Sequence, residues 1–253
     1  MTTDLFDLNG RVAVVTGSTR GLGHAVAKAL IAHGATVVVS SENAEDTAAV
    51  AAELGAVGIP CDVGDDAAVA ALVSQTVERL GGIDILVSNA GITGGGPPAT
   101  PTDMTAFDRV IAINLRSMVL LTKHALPVMA LREGASVILM ASIAGLRGNA
   151  RIDAYALAKA GVAQLARNIA VQWGPRGVRA NAIAPGLIDT ALADVFKADE
   201  AILARRMQMT PLRRMGKPEE IAGAVVFLAA PAGGFVNGQV LVVDGGTVIT
   251  DGS

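Results

Sequence analysis

Aromatic side chains are scarce in this 253-residue sequence: five Phe, one Trp and one Tyr make up 3% of it. Ala, Val, Leu and Ile must therefore fill the interior, which suits a large buried parallel sheet. Cysteine occurs once, at Cys61, and that excludes an internal disulfide. Charge is sparse at 17% with a net value of −3, and no Lys/Arg run exceeds two residues, so neither nucleic acid nor an anionic membrane surface is an expected partner. No apolar run reaches the roughly 20 residues of a membrane helix, and the most apolar tract, 221–230, is stopped by Pro231. The opening MTTDLFDLNG is acidic where a secretory leader would be basic and then apolar; with the lone cysteine, it leads us to expect a cytoplasmic protein.

What is abundant is apolar and small. Hydrophobic residues make up 51% of the chain, and short Val-rich runs alternate with longer Ala/Leu-rich stretches of helical period, the appearance of repeated βαβ units. Strands are predicted at 12–15, 36–39, 57–60, 83–88, 136–140, 178–183 and 240–243, and helices at 23–32, 44–54, 66–80, 105–131, 154–173 and 218–229. Most of the strands lack polar alternation, as expected where helices cover both faces of the sheet. The pattern predicts a doubly wound α/β fold, a seven-stranded parallel sheet in a single domain spanning 1–253. There is no internal repeat, and the glycine-rich patch at 94–98 is short enough to be a loop. Segment 187–211 is polar, helical and rich in Met and Arg, and lies between two strands that need one connecting helix; it is a candidate substrate lid.

The first predicted strand runs into VAVVTGSTRGLG. Gly17, Gly21 and Gly23, with Ser18, Thr19, Arg20 and Leu22 between them, make a turn that opens a helix, where backbone N–H groups and the positive helix end can meet a pyrophosphate. The spacing is G-x-x-x-G-x-G rather than the generic G-x-G-x-x-G. Asp62 and Val63 follow the third strand, where an adenine lies in such a fold, and Asn89, Ala90 and Gly91 follow the fourth, small enough for the chain to pass close to a ribose. Together they trace a cofactor groove along the carboxyl ends of the strands.

Tyr155 and Lys159 lie four apart in an Ala-rich helical segment and share one face. A Tyr–Lys pair at this spacing is ordinarily a surface pair, but Tyr155 is the only tyrosine in the chain. A phenol is a poor base at neutral pH, and a neighbouring ammonium favours the phenolate. Lys159 can also hold a ribose hydroxyl. Ser142, after an apolar strand, can donate to a substrate carbonyl or accept from an alcohol. Asn114, unusual inside a long helical segment, can anchor a water that relays protons through Lys159.

Thr16-Gly17-x-x-x-Gly21-x-Gly23, Asn89-Ala90-Gly91, Asn114, Ser142, Tyr155-x-x-x-Lys159, Pro185-Gly186 and Thr190 stand in the order and spacing of the short-chain dehydrogenase/reductase family, and the resemblance runs over essentially the whole chain. Ser88 stands where many relatives have a second Asn, a departure that removes no catalytic group. The resemblance, which extends to the 3-oxoacyl-[acyl-carrier-protein] reductase-like members, implies a Rossmann fold and a nicotinamide cofactor. It makes Tyr155 the acid/base and Ser142 the substrate-orienting hydroxyl. Lys159 would hold the ribose and lower the tyrosine pKa, and Asn114 would complete a proton relay. It also implies a carboxamide contact near Ile188 and Thr190, and a homotetramer or dimer.

After the second predicted strand come Ser40, Ser41 and Glu42. NAD-using relatives typically carry Asp at the position of Ser41, and phosphate-binding relatives often carry Arg at that of Glu42. Arg20 can reach a 2′-phosphate or pair with Glu42. Because Glu42 is a charge that a 2′-phosphate would face, the reading leans to NAD(H) over NADP(H). The residues expected to line the substrate pocket, 93–98, Ile143, Ala144, Asn149 and segment 187–211, are mainly small or apolar with few charges to grip an anion. They suggest a secondary alcohol or ketone of moderate size. Arg205-Arg206 and Arg213-Arg214 either greet an acyl-carrier protein, making this a 3-oxoacyl reductase, or are solvated helix charges.

Overall fold

A computed structural model describes residues 4–94, 103–149, 152 and 154–250. Its centre is a seven-stranded sheet with every neighbouring pair parallel, in the order β3-β2-β1-β4-β5-β6-β7. The strands are β1 Val12–Thr16, β2 Thr36–Ser40, β3 Val57–Gly58, β4 Ile85–Ser88, β5 Ser136–Met140, β6 Arg179–Pro185 and β7 Val240–Val243. Helices α1 Gly21–Ala32, α2 Ala44–Leu54 and α3 Asp66–Leu80 connect the first four strands. Helices α4 Met104–Ile111, α5 Ser117–Met129 and α6 Ala154–Trp173 belong to the middle of the chain, and α7 Asp194–Lys197, α8 Glu200–Gln208 and α9 Pro218–Ala229 to its last third.

Successive strand residues part to opposite faces, which is why the Val-rich runs need no polar alternation. Val14, Leu86, Val137 and Ala182 pack with Leu72 of α3, Leu121 of α5 and Val162 of α6. Ala13, Val15, Val87, Ile138 and Ile183 pack on the other side with Val26 and Leu30 of α1 and Val225 of α9. Strand order reverses between β1 and β4, so a crevice opens at their carboxyl ends, the place where such sheets bind ligands. Among the described residues no helix is long and apolar enough to cross a membrane.

Several predicted boundaries shift for identifiable reasons. β3 is two residues long rather than four, although Ile59 N and Cys61 N still donate to Val39 O at 3.0 Å and Ser41 O at 2.9 Å. β4 begins at Ile85, since the Asp84 carboxylate accepts from Val12 N at 2.9 Å and from Arg132 Nε and Nη2 at 3.0 Å each. The predicted helix 105–131 is two helices joined by a π-turn, Ala112–Arg116. Segment 187–211 holds a 3-10 turn, Ala191–Ala193, followed by α7 and α8.

Candidate active site

The glycine turn after β1 has left-handed backbone at Gly17 (φ +62°) and Gly21 (φ +57°), which a side chain would strain. A Cβ on Gly17 would lie 2.8 Å from Ala90 Cα, and one on Gly23 would lie 2.2 Å from Gly17 O and 2.6 Å from Asn89 Nδ2. The sequence assigned all three glycines to keeping room for a pyrophosphate. The structure gives Gly17 and Gly23 a different task, that of letting the turn close on itself and on the loop after β4. Thr16 Oγ1 accepts from Asn89 N at 3.0 Å and Ala90 N at 3.2 Å, and Asn89 Nδ2 donates to Thr16 O at 2.9 Å. Thr16 therefore clamps the two loops together, a role its place in the motif did not reveal.

The turn fits the phosphates of a dinucleotide. No side chain caps the start of α1 and its first turn holds no acid, so unpartnered N–H groups face the crevice. Ser18 is buried, its Oγ donating to Val15 O at 2.7 Å and accepting from Ser40 N at 2.9 Å while its own N–H donates to Ser40 O at 3.1 Å, so it ties the turn to β2. Thr19 and Leu22 are half-buried and Arg20 is exposed. Arg20 and Glu42 form no ion pair, and both are solvated. Ser41 is turned into the cap of α2, where its Oγ accepts from Asn43 N at 3.3 Å and Thr47 Oγ1 at 3.4 Å. Asp62 Oδ1 accepts from Gly64 N at 2.8 Å while Val63 is buried.

Asn114 sits in the π-turn, a feature that recurs at functional sites. Its Nδ2 donates to Ile92 O at 2.8 Å and Val110 O at 3.0 Å, and its buried Oδ1 has no partner. A Cβ on Gly91 would lie 2.6 Å from that oxygen. The side chain thus fixes the turn after Gly91 through Nδ2, while Lys159 Nζ is held on Met140 O.

Ser142 leaves β5 in extended backbone, and its Oγ accepts from Ala144 N at 3.1 Å. The loop that follows is pressed onto α6 so closely that a Cβ on Gly145 would lie 2.5 Å from Ala160 N. This contact brings Ser142 to the Tyr155 phenol. Burial raises the phenol's pKa and the hydrogen bond with Ser142 works against that rise. Lys159 Nζ lies 5.4 Å from the centre of the Tyr155 ring and donates to Met140 O at 2.8 Å. Burial lowers its pKa to about 7. Serine, tyrosine and lysine therefore share one corner at the end of β5.

On the far rim, Gly186 N donates to Val243 O at 3.0 Å and Pro185 ends β6. Ile188 is buried and forms a parallel bridge with Gly216, and Thr190 Cβ stands 3.7 Å from where a Cβ on Gly21 would be. The segment after β6 thus meets the glycine turn after β1. Of the expected pocket lining, Ile143 and Ala144 are buried and Asn149 Nδ2 donates to Ala144 O at 2.8 Å and Arg147 O at 2.9 Å; 95–98 lie outside the described residues.

Arg206 of α8 is half-buried with its guanidinium 4.0 Å from the centre of the Phe196 ring, and its pKa is lowered by burial and then by the charge of Arg147. Arg205, Arg213 and Arg214 are exposed. Arg213 Nη1 donates to Gln208 O, and Arg214 pairs with Glu220 at 2.6 and 2.8 Å.

A family model described as enoyl-(acyl carrier protein) reductase matches residues 17–248. The chain is 42% identical to cis-4-hydroxycyclohexanecarboxylate dehydrogenase of Sinomonas cyclohexanicum, covering 93% of this chain and 96% of that protein. It is 38% identical to 2-dehydro-3-deoxy-D-gluconate 5-dehydrogenase of Formosa agariphila over 100% and 98%. The crystal structure of a gluconate 5-dehydrogenase from Burkholderia cenocepacia J2315 in complex with NADP and tartrate superposes with a TM-score of 0.94 at 33% identity, covering 98% of each chain. The chain belongs to the short-chain dehydrogenase/reductase family of NAD(P)-dependent oxidoreductases that interconvert secondary alcohols and ketones.

Proposed function

We propose that Tyr155 is the acid/base of this oxidoreductase, with Ser142 orienting the reacting oxygen and Lys159 setting the electrostatics of the phenol. The observation that carries this reading is the corner itself, in which Lys159 Nζ is held on Met140 O 5.4 Å from the tyrosine ring while Ser142 meets the phenol. A bound nicotinamide would supply or accept the hydride. In reduction Tyr155 Oη gives its proton to the carbonyl oxygen while Ser142 Oγ donates to that same oxygen, and in oxidation Tyr155 takes the alcohol proton. Asn114 acts as a positioning residue through the turn at Gly91 and Ile92.

The residues that would hold the dinucleotide are the 17–23 turn at its phosphates, Asp62 and Val63 at the adenine, Asn89, Ala90, Gly91 and Lys159 along the ribose, and Pro185, Gly186, Ile188 and Thr190 at the nicotinamide. Segment 187–211, which enters from that rim, is the candidate substrate lid. A homotetramer is supported by exposed apolar side chains on α5 and α6 (Val119, Leu157, Val171) and around β7 (Phe235, Val242). Sedimentation equilibrium should return four copies, and a monomer would remove that reading.

For the cofactor, solvated Glu42 faces the 2′ position without a cation to neutralise it, which favours NAD(H). One reading competes: Arg20 is equally unpaired, and the solved gluconate 5-dehydrogenase holds NADP. The deciding experiment is a panel of secondary alcohols, hydroxy acids, sugars, steroids and 3-oxoacyl thioesters assayed with both dinucleotides. NAD+ should give the higher kcat/KM. Glu42→Ala should raise kcat/KM for NADP+ about tenfold, the effect of roughly 1.4 kcal/mol of relieved repulsion. Equal use of both dinucleotides by the parent protein would remove the preference. Two of the relatives are named for substrates that carry a carboxylate, cis-4-hydroxycyclohexanecarboxylate and 2-dehydro-3-deoxy-D-gluconate. With Arg206 covering Phe196 and Arg213 and Arg214 tied down, an acid-bearing small molecule fits this chain better than an acyl-carrier protein.

A further inference from the structure

We propose that Gly145 is a positioning residue for the reaction: by seating the turn that carries Ser142 on the backbone of Lys159, it sets how far Ser142 stands from Tyr155. The inference rests on the reading of Ser142 and Tyr155 as the reacting corner. Residues 142–145 form a tight unit at the end of β5. Gly145 N donates to Ser142 O at 3.0 Å, Ser142 Oγ accepts from Ala144 N at 3.1 Å, and Ile143 and Ala144 between them are buried. Asn149 Nδ2 closes the unit from its far side, donating to Ala144 O at 2.8 Å and Arg147 O at 2.9 Å. A shift at Gly145 therefore carries to Ser142.

The chain on either side of Ser142 meets one residue of α6. Two residues before it, Met140 O accepts from Lys159 Nζ at 2.8 Å, and that Nζ lies 5.4 Å from the centre of the Tyr155 ring. Three residues after it, Gly145 abuts the peptide that joins Lys159 to Ala160. A Cβ on Gly145 would lie 2.5 Å from Ala160 N, 2.6 Å from Lys159 C and 2.9 Å from Lys159 O. Ser142 is thus held between a side-chain bond and a backbone contact made by the same lysine. The three crowded atoms belong to the backbone of a 20-residue helix whose Ala158, Val162 and Ala166 are fully buried, so the turn gives way before the helix does. Ordinary contact begins at about 3.5 Å, and one added methyl would push the turn out by about 1 Å. A displacement of that size can cost about 10²-fold in rate. The backbone at Gly145 is not left-handed, so contact alone excludes a side chain. Gly148, on the same loop, shares that ordinary backbone, and a Cβ there meets nothing within 4 Å.

Tyr155 is the only tyrosine in the chain, so phenolate absorbance follows its titration without any substrate. Ser142 holds the phenol's pKa down against burial, and a Ser142 pushed away should let it rise. Gly145→Ala and Ser142→Ala should each displace the titration to higher pH, and the combined variant should go no further than Ser142→Ala alone. Gly148→Ala should titrate like the parent. In oxidation of the panel's secondary alcohols with NAD+, Gly145→Ala should lower kcat about 10²-fold and leave the dinucleotide Kd unchanged. Circular dichroism at each pH verifies the fold. Should Gly145→Ala not fold, Asn149→Ala, which unpins the same turn without adding an atom, takes its place with the same displacement expected. A parental titration in that variant, a displaced one in Gly148→Ala, or a combined displacement equal to the sum of the two single ones overturns the proposal. A weakened dinucleotide Kd also overturns it, because the helix and not the turn has then moved. Ser142→Ala titrating like the parent removes the contact with Tyr155 on which both readings rest. A displaced titration in Gly145→Ala with parental turnover leaves the spacer standing and ends the catalytic reading of Ser142.

Discussion

Replacing Tyr155 with Phe lowers kcat by about 10²- to 10⁴-fold, the usual worth of a positioned acid/base, and leaves dinucleotide affinity unchanged. The expectation follows from what the substitution removes. The ring stays, in a half-buried site packed beside Lys159, while the hydroxyl that meets Ser142 and can pass a proton is lost. The pH dependence has a sign. Burial raises the phenol's pKa, so the protonated acid dominates at neutral pH and the phenolate is scarce. Alcohol oxidation, which needs the base, should accelerate as pH rises, and carbonyl reduction, which needs the acid, should slow only in the alkaline range. Steady-state rates in both directions across pH, with equilibrium titration of dinucleotide, measure both parts. Near-parental turnover by the variant would remove Tyr155 from the chemistry, and weakened cofactor binding with a normal rate at saturation would make it a binding group instead.

Much of the scaffold was legible because its elements are specified locally. Runs such as Val12 to Val15 and Ser136 to Met140 are apolar on both faces, and α2 begins and ends at Asn43 and Gly55, whose side-chain cap and left-handed backbone are sequence signals. Features set by long-range contacts were not legible. The π-turn at 112–116 arises where Asn114 bonds Ile92 across the crevice, and no spacing within the helix announces it. The crowding of Gly23 against Gly17 and Asn89 is equally invisible along the chain, so that glycine was credited with making room for a ligand when it makes room for the protein. Tyr155, Lys159 and Ser142 were found because one helical turn and one strand end carry them.

Lys159→Met gives effects of opposite sign on stability and on turnover, and the contrast separates a functional lysine from a structural one. Lys159 is 4% exposed, and burial lowers its pKa to about 7 from an unfolded value near 10.4. Between those values the unfolded chain binds a proton that the folded chain does not, so stability rises with pH across that window. Below about pH 7 both states hold the proton and the deficit is complete and constant; above about pH 10.4 neither does and the deficit is gone. At about 1.4 kcal/mol per unit, the buried amine costs on the order of a few kcal/mol at pH 7. Methionine fills a similar volume without titrating, though it strands the Met140 carbonyl that Lys159 now satisfies, at about 1–3 kcal/mol. The net expectation is a variant about 2 kcal/mol more stable than the parent at pH 7 and less stable above about pH 10.4, measured by urea unfolding at each pH. Its turnover should fall steeply at pH 7, where the phenol loses the charge beside it, and change much less above about pH 10.4, where the parent lysine is already neutral. A variant equally destabilised at both pH values would mean that the amine acts only through its bond to Met140 and that its burial carries no charge penalty. A stabilised variant with parental turnover would mean that the fold bears this penalty for something other than the chemistry at Tyr155.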